Sequence, residues 1–415
     1  MLVAAVLLIL AIWSLFETIN AFRPIRQQWL LFPSFVVSLI TIELPAHFTI
    51  AEVVIALVLI WLGALDVWLG WPALVLLIVS WVGRFVLFLQ GRGARRVVNE
   101  ELALADIPPA TTSVPRWRVV TAFPFRPKSV ERIKNIEFRR VAGKVLRLDV
   151  YRPVGGADGL PVMLYLHGGA WTVGDKREQG LPMIHFLAES GWFVVSANYR
   201  LSPGATFPDH LIDAKAAVAW IRDHSTEYGA DPSFLAVSGG SAGGHIAALL
   251  ALTPNEAKYQ PGFEGVDTAV QAAVPIYGVY DLTDRLGVQS QGFVPLLMEP
   301  IVMKEFLTEE PERYREASPI DLVGNQAPPF LVIQGERDTL APVEEARAFV
   351  DALRRQSAQP VIYMELPGAQ HVFDLFYSLR TSRMIEGVLA FLEAMLAKDR
   401  SADEADEADE ADQAG

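Results

Sequence analysis

The stretch Gly239–Gly244, with the sequence GGSAGG, decides the fold. It lies between a strand-like run, Phe234–Ser238 (FLAVS), and a helix-like run that begins at His245. A serine in the pattern G-x-S-x-G at a strand-to-helix turn is typical of a nucleophile elbow, which exposes the hydroxyl above a sheet. Glycines at such a turn let neighbouring backbone pass closely, because no Cβ stands in the way. The pattern alone is weak, so the prediction that Ser241 is a nucleophile depends on partners elsewhere in the chain.

The composition changes sharply along the 415 residues of the chain. Residues 1–91 are overwhelmingly apolar, residues 96–397 have the mixture typical of a soluble domain, and the C-terminal end is nearly all Ala, Asp and Glu. A chain of this length is long enough for more than one domain. We therefore predict four parts: a membrane region of hydrophobic helices over 1–91, a basic flank and Pro-rich linker over 92–130, an α/β catalytic domain over 131–397, and a disordered acidic tail over 398–415.

The charge and the residue types exclude several kinds of site. The formal net charge is -13, and seven of the acidic residues lie in the C-terminal tail, so the rest of the chain carries only -6. Such a mild acidic balance argues against nucleic-acid binding, which needs a clustered basic face. The chain contains no cysteine, which excludes disulfides and thiol catalysis. Its histidines are scattered without Asp or Glu at ligand spacing, so we expect no metal site and no cofactor.

Apolar runs fill the first part of the chain. They are Leu2–Phe16, Trp29–Ile42, Ile50–Leu69 and Trp71–Leu89. The last two approach the roughly 20 residues that an α-helix needs to span the hydrocarbon core. We therefore predict a membrane region of three to four hydrophobic helices, with the lipid bilayer as a partner. Arg84 and Asp66 lie near the ends of their runs, where we expect their side chains to extend to the interface.

Basic residues flank this region at Arg23 and Arg26 and again within Arg92–Arg96. The positive-inside tendency places both clusters in the cytoplasm. Three crossings between the clusters would put them on opposite sides of the membrane. Either the second apolar run is re-entrant or the tendency is broken, so the sequence leaves open which side the catalytic domain faces.

Strand-like and helix-like runs alternate in the catalytic domain. Ile136–Arg140 and Val145–Tyr151 predict a hairpin, and β-α units follow it. This order predicts a mostly parallel sheet with helices on both faces. Residues 281–326 interrupt the rhythm, as an inserted cap would. The other predicted strands are Val162–Leu166, Phe193–Asn198, Phe234–Ser238, Gln271–Tyr277, Pro329–Gln334 and Val361–Glu365, and the predicted helices include Gln179–Ser190, Asp209–His224, Pro342–Arg355 and Thr381–Ala397.

Two residues late in the chain are candidate partners of Ser241. A serine hydroxyl needs a base to become a nucleophile, usually a histidine that a carboxylate orients. Asp338 follows the strand-like run Phe330–Ile333, and His371 follows the last predicted strand. Both therefore fall at the edge of a parallel sheet where its strands end, and Ser241 falls at the same edge. We predict Ser241 as nucleophile, His371 as base and Asp338 as acid.

Other residues of the same types remain alternatives. Glu336 and Asp281 are further candidates for the acid. His245 follows the elbow closely, but it begins a helix, where we expect it to pack or cap. The remaining helical histidines are expected to be ordinary helix residues; they are His185, His210 and His224.

A glycine-containing loop follows the predicted strand Val162–Leu166. The stretch Tyr165–Trp171 reads YLHGGAW. Attack on an ester makes an oxyanion, which preorganised N–H donors must stabilise. We expect the loop residues Gly168, Gly169 and Ala170, together with the amide of Ala242, to form this oxyanion hole.

These motifs, over Lys144–Leu396, resemble the hormone-sensitive-lipase-like branch of the α/β-hydrolases, the fold-3 carboxylesterases. They also resemble the related feruloyl-esterase and kynurenine-formamidase-like group. The order Ser, Asp, His is that of the α/β-hydrolases. The stretch Asn198–Pro203 with Asp213 and Trp220 is similar to the segment that precedes the elbow in this family. The resemblance implies the triad and the oxyanion loop given above, with amides supplied by Gly169, Ala170 and Ala242 and the loop shaped by Gly168.

The chain departs from the lipase-like pattern at two places. Gly240 stands where that branch usually has Asp, and Ala170-Trp171 stands where it usually has a third glycine. The sequence HGGAW is closer to the formamidase-like pattern, so the choice between ester and amide substrates stays open. The membrane region lies outside this resemblance and is similar to membrane-anchored esterases of actinobacterial type.

The sequence as a whole predicts a membrane-anchored serine hydrolase of carboxylic esters, in a bacterial cell membrane, with a small or lipid-like ester as substrate. An amidase or peptidase on the same fold is the first alternative. A catalytically silent binding protein is a second one. The acyl-chain preference and the oligomeric state stay open.

Overall fold

The computed structural model describes residues 1–413 of the chain. Its first part is helical, with α1 (Leu2–Phe22), α2 (Gln28–Glu43), α3 (Pro45–Trp61), α4 (Gly70–Leu104) and the short α5 (Arg116–Thr121). Among the described helices, α1 and α4 are each long and apolar enough to cross a membrane. The helices α2 and α3 meet at 88° and give a third crossing only if the bent pair counts as one span.

The predicted apolar run Ile50–Leu69 does not form one helix. α3 ends at Trp61, and Gly63 adopts a φ of +89°, a left-handed value that favours glycine. Turns then lead to the start of α4 at Gly70. Pro45 opens α3, and the residue before a proline avoids helical backbone angles, which explains the bend after α2. The pair therefore has the shape of a broken span or a re-entrant loop.

An eight-stranded sheet forms the centre of the rest of the chain. Its strands are β1 (Val130–Val141), β2 (Lys144–Pro153), β3 (Leu160–Leu166), β4 (Phe193–Ala197), β5 (Ala230–Gly240), β6 (Ala272–Ile276), β7 (Phe330–Gly335) and β8 (Val361–Leu366). The order across the sheet is β1-β2-β4-β3-β5-β6-β7-β8. β1 and β4 pair antiparallel with β2, and the later neighbours pair parallel. The predicted α/β fold with a mostly parallel sheet is confirmed.

Helices cover both faces of the sheet. They are α6 (Leu181–Glu189), α7 (Asp209–His224), α8 (Ala242–Leu252), α9 (Pro311–Glu316), α10 (Val343–Gln356) and α11 (Leu379–Gln413). One apolar core contains residues of α7, α8 and α10, and a second core contains residues of α6 and α11. Between β6 and β7, the predicted insertion 281–326 contains α9 and a π-helical stretch, Phe293–Met303.

The C-terminal part of α4 joins the second core. Residues 92–104 were expected to begin a linker, but the structure continues α4 through them. Ala94, Val98 and Leu102 recur every four residues and are buried beside Met364 of β8 and Leu389 of α11. Apolar residues at every fourth position lie on one face of a helix. Burial of this face explains why α4 continues through residues 92–104. One helix therefore connects the apolar N-terminal bundle to the sheet domain.

α11 continues into the acidic tail. The sequence predicts disorder over 398–415. The structure extends the helix through the Ala-Asp-Glu repeats to Gln413, and residues 414–415 lie outside the described residues. Alanine and glutamate are among the best helix formers, which favours this continuation against the repulsion between like charges.

Arg84 of α4 lies inside the N-terminal bundle, so the expectation that its side chain extends to the interface is wrong. The side chain is fully buried, and its Nη2 lies 2.8 Å from Oε2 of Glu17 and 2.9 Å from Oε1 of Glu52. Glu52 also accepts hydrogen bonds from Ser14 Oγ at 2.7 Å and from Trp81 Nε1 at 3.2 Å. Carboxylates on α1 and α3 thus hold the guanidinium in place. The position of Arg84 near the end of an apolar run does not reveal these partners.

Replacing Arg84 by methionine is expected to destabilise the bundle. Methionine keeps much of the volume but leaves the carboxylates of Glu17 and Glu52 buried without their cation, and such a loss costs about 3–5 kcal/mol. Thermal unfolding of the full chain in detergent measures the effect. Arg96→Met is the matched control, since Arg96 lies on the same helix but its side chain is exposed. Equal unfolding temperatures for the two variants would contradict a structural role of Arg84.

Candidate active site

Ser241 occupies the turn between β5 and α8. Its φ of 57° and ψ of -121° form a strained conformation for a residue with a Cβ. The Ser241 amide donates to the Ile276 carbonyl at 3.0 Å, and the Ser241 carbonyl accepts from the His245 amide at 2.9 Å. A Cβ on Gly239 would lie 2.4 Å from the Gly243 oxygen, and one on Gly243 would lie 2.1 Å from the oxygen of Leu166 in β3. Both outer glycines of the G-x-S-x-G pattern are therefore required by close backbone contacts.

The structure brings Ser241, His371 and Asp338 into one hydrogen-bonded series. His371 Nε2 lies 2.8 Å from Ser241 Oγ, and His371 Nδ1 lies 2.7 Å from Asp338 Oδ2. Asp338 follows β7 and His371 follows β8, so all three residues lie beyond the carboxyl ends of parallel strands. His371 and Asp338 are buried, whereas Ser241 is partly exposed. This arrangement can abstract a proton from the serine hydroxyl.

Four donors fix the carboxylate of Asp338. Its Oδ1 accepts the amides of Leu340 at 2.9 Å and Ala341 at 2.7 Å. Its Oδ2 accepts Gln334 Nε2 at 3.0 Å in addition to His371 Nδ1. Because both oxygens are engaged, the plane of the carboxylate and its direction toward His371 are set by the fold.

The alternative acids lie in other contacts. Glu336 accepts the amide of Gly368 at 2.6 Å, and Asp281 pairs with Arg285 at 2.9 Å. Within residues 1–413, neither carboxylate is hydrogen-bonded to His371. The geometry therefore favours Asp338 over both alternatives.

Gln370 lies beside His371 and was not identified from the sequence. Its Oε1 accepts the amides of Thr339 at 2.8 Å and His371 at 2.9 Å, which links the two loops that carry Asp338 and His371. Its Nε2 donates to Ser38 Oγ of α2 at 3.0 Å. A glutamine belongs to none of the motifs discussed above, so these contacts become visible only in three dimensions.

The loop after β3 lies beside Ser241. Gly169 and Ala170 line the same cavity as Ser241 and His371, and their amides have no protein acceptor among the described residues. Ala242 is the first residue of α8, where an amide has no acceptor within the helix. The amide of Gly168 instead donates to Gln179 Oε1 at 2.9 Å. The amides of Gly169 and Ala170 in the loop, and of Ala242 in α8, are thus available as donors near Ser241, whereas the Gly168 amide is engaged by Gln179.

The other histidines have structural surroundings. Trp171 Nε1 donates to His245 Nδ1 at 3.2 Å, His245 Nε2 lies 2.7 Å from the Ala317 carbonyl, and burial lowers the pKa of His245 to about 4. His210 contacts Ser202, and His224 stacks on Trp220. Across residues 1–413, no group of His, Asp and Glu has the arrangement of a metal site.

Asp374 is a buried carboxyl close to His371. Tyr277 donates its hydroxyl to Asp374 Oδ1, and the Tyr277 ring centre lies 4.8 Å from that of His371. Asp374 Oδ2 has no hydrogen-bond partner in the described part of the chain. Burial therefore raises the pKa of Asp374 from 3.8 to about 6, against the lowering effect of the Tyr277 hydroxyl.

This shift makes stability fall as the pH rises. The folded protein holds the Asp374 proton more tightly than the unfolded chain, so the stabilisation is complete below pH 3.8 and is lost as the pH passes about 6. A shift of this size corresponds to about 3 kcal/mol. We expect the stability of Asp374→Asn, which does not titrate, to rise relative to that of the wild type as the pH increases from about 4 through about 6, and the difference to stay constant at higher pH in thermal unfolding. Asp158→Asn, at an exposed turn, is the control, and parallel pH curves for wild type and Asp374→Asn would refute the shift.

A cavity of about 450 Å³ opens onto Ser241 and His371. This volume falls within the range of pockets that take small organic molecules. Val279, Leu297 and Leu340 are among its apolar lining residues. Phe32 and Phe35 of α2 also line it, although the sequence placed them only in a membrane region. The N-terminal helices and the sheet domain therefore build the site together.

Parts of the chain match a known family and known esterases. Residues 148–353 match the family BD-FAE. The chain is 48% identical over 264 residues to the probable carboxylic ester hydrolase LipM of Mycobacterium tuberculosis, covering 63% of this chain and 61% of LipM. It is 44% identical over 262 residues to the esterase LipQ of the same organism, covering 63% of this chain and 62% of LipQ. The chain thus spans about three fifths of the length of these relatives.

A solved structure shows the same fold. The butyrate-bound esterase Est2 of Thermogutta terrifontis superimposes with a TM-score of 0.55 at 25% identity, over 65% of this chain and 95% of Est2. The superposition spans far more of Est2 than of this chain. The resemblance to α/β-hydrolase esterases that the motifs indicated is confirmed by these matches.

Proposed function

Since the chain has the fold of the α/β-hydrolases and is similar to esterases, we propose that it is a membrane-anchored serine hydrolase that cleaves carboxylic esters. The observation that carries the proposal is the series Ser241 Oγ, His371 Nε2 and Nδ1, Asp338 Oδ2, with contacts of 2.8 and 2.7 Å, in which Ser241 and His371 line one cavity. The whole reaction uses side chains and backbone amides of this chain.

Acylation begins with attack of Ser241 Oγ on the ester carbonyl. His371 Nε2 accepts the hydroxyl proton as the new C–O bond forms, and Asp338 stabilises the resulting imidazolium through Nδ1. The carbonyl oxygen becomes an oxyanion, which the amides of Gly169, Ala170 and Ala242 stabilise. Collapse of the intermediate breaks the ester C–O bond, and the alcohol leaves with the proton from His371.

Deacylation repeats these steps with water. His371 Nε2 takes a proton from the water that attacks the acyl-enzyme, and a second oxyanion forms at the same amides. Its collapse releases the carboxylic acid and returns the proton to Ser241 Oγ. The base and the oxyanion donors therefore act twice in each cycle.

We place the protein in a bacterial cell membrane as a multi-pass protein. α1 and α4 are apolar over lengths that suit a bilayer, and α4 continues into the second core of the sheet domain. Exposed apolar side chains on these helices, such as Ile9, Val75 and Phe85, support contact with lipid.

A fluorophosphonate probe tests the proposed nucleophile directly. Attack by an activated serine displaces fluoride and leaves a stable phosphonyl ester, so we expect mass spectrometry to locate the label at Ser241. Prior exposure to the probe is expected to abolish hydrolysis of p-nitrophenyl esters. Labelling at another serine, or turnover that survives complete labelling, would contradict the proposal.

An amide substrate distinguishes the alternative function. An amidase must protonate a poorer leaving group, and the HGGAW loop at 167–171 is the feature that keeps this alternative open. We expect p-nitrophenyl butyrate to be hydrolysed and butyryl p-nitroanilide, its amide counterpart, to be spared at equal concentrations. Faster cleavage of the anilide would assign amidase activity to the same site.

A further inference from the structure

α2 lies directly over the catalytic base. The Phe35 ring centre lies 6.2 Å from that of His371 in an edge-on arrangement, and the Phe32 ring centre lies 5.9 Å from that of Phe35. Phe35 is 7% exposed, whereas Phe32, one turn earlier, is 67% exposed. The two rings therefore extend from the base to the outside of the molecule.

Polar contacts at the other end of α2 hold this helix on the catalytic loops. Ser38 Oγ accepts a hydrogen bond at 3.0 Å from Nε2 of Gln370, the residue before His371. Arg380 Nη1 donates to the Ile42 carbonyl at 3.1 Å and pairs with Glu43 at 3.4 Å, and both partners are buried. Because these contacts are buried, α2 is a fixed wall of the site rather than a loosely attached segment.

Most of the side chains that line the cavity between α2 and the catalytic residues are apolar, and Gln179 and Ser290 add polar groups to its wall. Ser241 and His371 lie at its reactive end, next to the amides of Gly169 and Ala170. Across from α2, Phe293 and Leu297 of the π-helical stretch supply further apolar surface. A carbonyl at Ser241 with a hydrocarbon chain along the rest of the cavity matches this distribution.

The outer end of the cavity opens at apolar surface. Phe32 belongs both to the cavity wall and to the exposed face of α2. Trp29, one turn before it, is 88% exposed, and Leu296 of the facing π-helical stretch is also exposed. Exposed apolar groups of this size beside apolar helices are typical of contact with lipid or with the membrane interface.

We propose that this opening admits long-chain acyl esters from the bilayer, and that Phe32 and Phe35 select them. The acyl chain leaves the membrane past Phe32, lies along Phe35 and the π-helical stretch, and places its carbonyl at Ser241. The inference rests on the proposed function, because it requires hydrolysis at Ser241. It makes Phe32 and Phe35 specificity-determining residues that the N-terminal helices supply to the catalytic domain.

The test compares two esters with the full chain in phosphatidylcholine vesicles. p-Nitrophenyl palmitate dissolves in the bilayer and p-nitrophenyl butyrate in the water, while both release the same alcohol. The wild type is expected to prefer the palmitate. Phe32→Ala is expected to lower the palmitate-to-butyrate ratio of kcat/KM about tenfold or more, since apolar pocket contacts discriminate by such factors.

Phe85→Ala is the matched control. Phe85 is also an exposed phenylalanine of the N-terminal helices, but it lies on α4 and does not line the cavity at Ser241. Its replacement is expected to leave the ratio at the wild-type value, and Phe32→Leu, which keeps an apolar wall, is expected to recover part of it. Thermal unfolding in the same vesicles verifies that each variant is folded.

The outcomes separate the two proposals. Preference for the butyrate in the wild type, or equal ratios for Phe32→Ala and Phe85→Ala, would overturn the selection of bilayer esters while hydrolysis at Ser241 stands. Absence of turnover on both esters together with absence of fluorophosphonate labelling would overturn the proposed function and this inference with it.

Discussion

Ser241→Ala is expected to reduce turnover of p-nitrophenyl esters by about four to six orders of magnitude, since loss of the nucleophile removes the acyl-enzyme route. The change deletes one oxygen, whose contact in the structure is the 2.8 Å hydrogen bond to His371 Nε2. Serine and alanine both carry a Cβ, and Ser241 already has a positive φ, so alanine fits the elbow without a new backbone conformation. We therefore expect thermal unfolding to change little, by about 0.5 kcal/mol or less. Steady-state kinetics and a melting curve on the same preparation measure both quantities.

Ser238→Ala serves as the matched control for Ser241→Ala. Ser238 lies in β5 three residues earlier, and its Oγ donates to the Val274 carbonyl at 2.7 Å, away from the cavity. Its loss removes one buried hydrogen bond, which costs about 1 kcal/mol of stability. Ser238→Ala should keep ester turnover near the wild-type rate. Retained turnover in Ser241→Ala would disprove the nucleophile, and equal loss in both variants would indicate damage to the fold.

The features that the sequence predicted well are those with local causes. The elbow needs glycine at 239 and 243 because backbone passes within contact distance of both, and this requirement is written into six consecutive residues. α7 was predicted over Asp209–His224, the bounds that the structure has. The strands β3 to β7 similarly contain short buried apolar runs between turn residues, so the α/β order could be derived from patterning.

The features that the sequence did not predict depend on contacts between distant segments. Ser38 and Gln370 are more than three hundred residues apart along the chain, and no local pattern connects them. An apolar run such as the one around Phe32 predicts a membrane helix whichever neighbour it faces, since hydropathy does not distinguish lipid from a cavity wall. The partners of Arg84 lie on other helices, so their pairing is likewise absent from the sequence pattern around Arg84.

Asp338→Asn is expected to lower kcat by about four orders of magnitude while leaving the cavity intact. The structure determines how the new amide must lie. The Leu340 and Ala341 amides both point at Oδ1, so the asparagine oxygen occupies that position and its NH₂ group takes the place of Oδ2. The NH₂ group then donates to His371 Nδ1, which had donated to the carboxylate. His371 consequently carries its proton on Nε2, where it donates to Ser241 and no longer accepts the hydroxyl proton.

Gln334 adds to the effect of Asp338→Asn. Its Nε2 donates both to Asp338 Oδ2 and to the Ala341 carbonyl at 2.8 Å. If the Gln334 amide flipped so that its oxygen accepted the new NH₂ group, the hydrogen bond to the Ala341 carbonyl would be lost. Two donors therefore face each other in the variant, and we expect a loss of about 1–3 kcal/mol of stability besides the loss of rate. Melting curves and single-turnover kinetics separate the two effects.

Glu336→Gln is the control that decides between the candidate acids. Glu336 lies two residues before Asp338 on the same loop, but its carboxylate accepts the Gly368 amide and is not bonded to His371 in the described structure. If Glu336 only binds the Gly368 amide, Glu336→Gln should keep a near-wild-type kcat, because a glutamine oxygen can still accept that hydrogen bond. If Glu336→Gln removed activity and Asp338→Asn retained it, the acid of the site would be Glu336, and the 2.7 Å contact between Asp338 and His371 would have no catalytic role. Loss of kcat in Asp338→Asn but not in Glu336→Gln would identify Asp338 as the acid of the site.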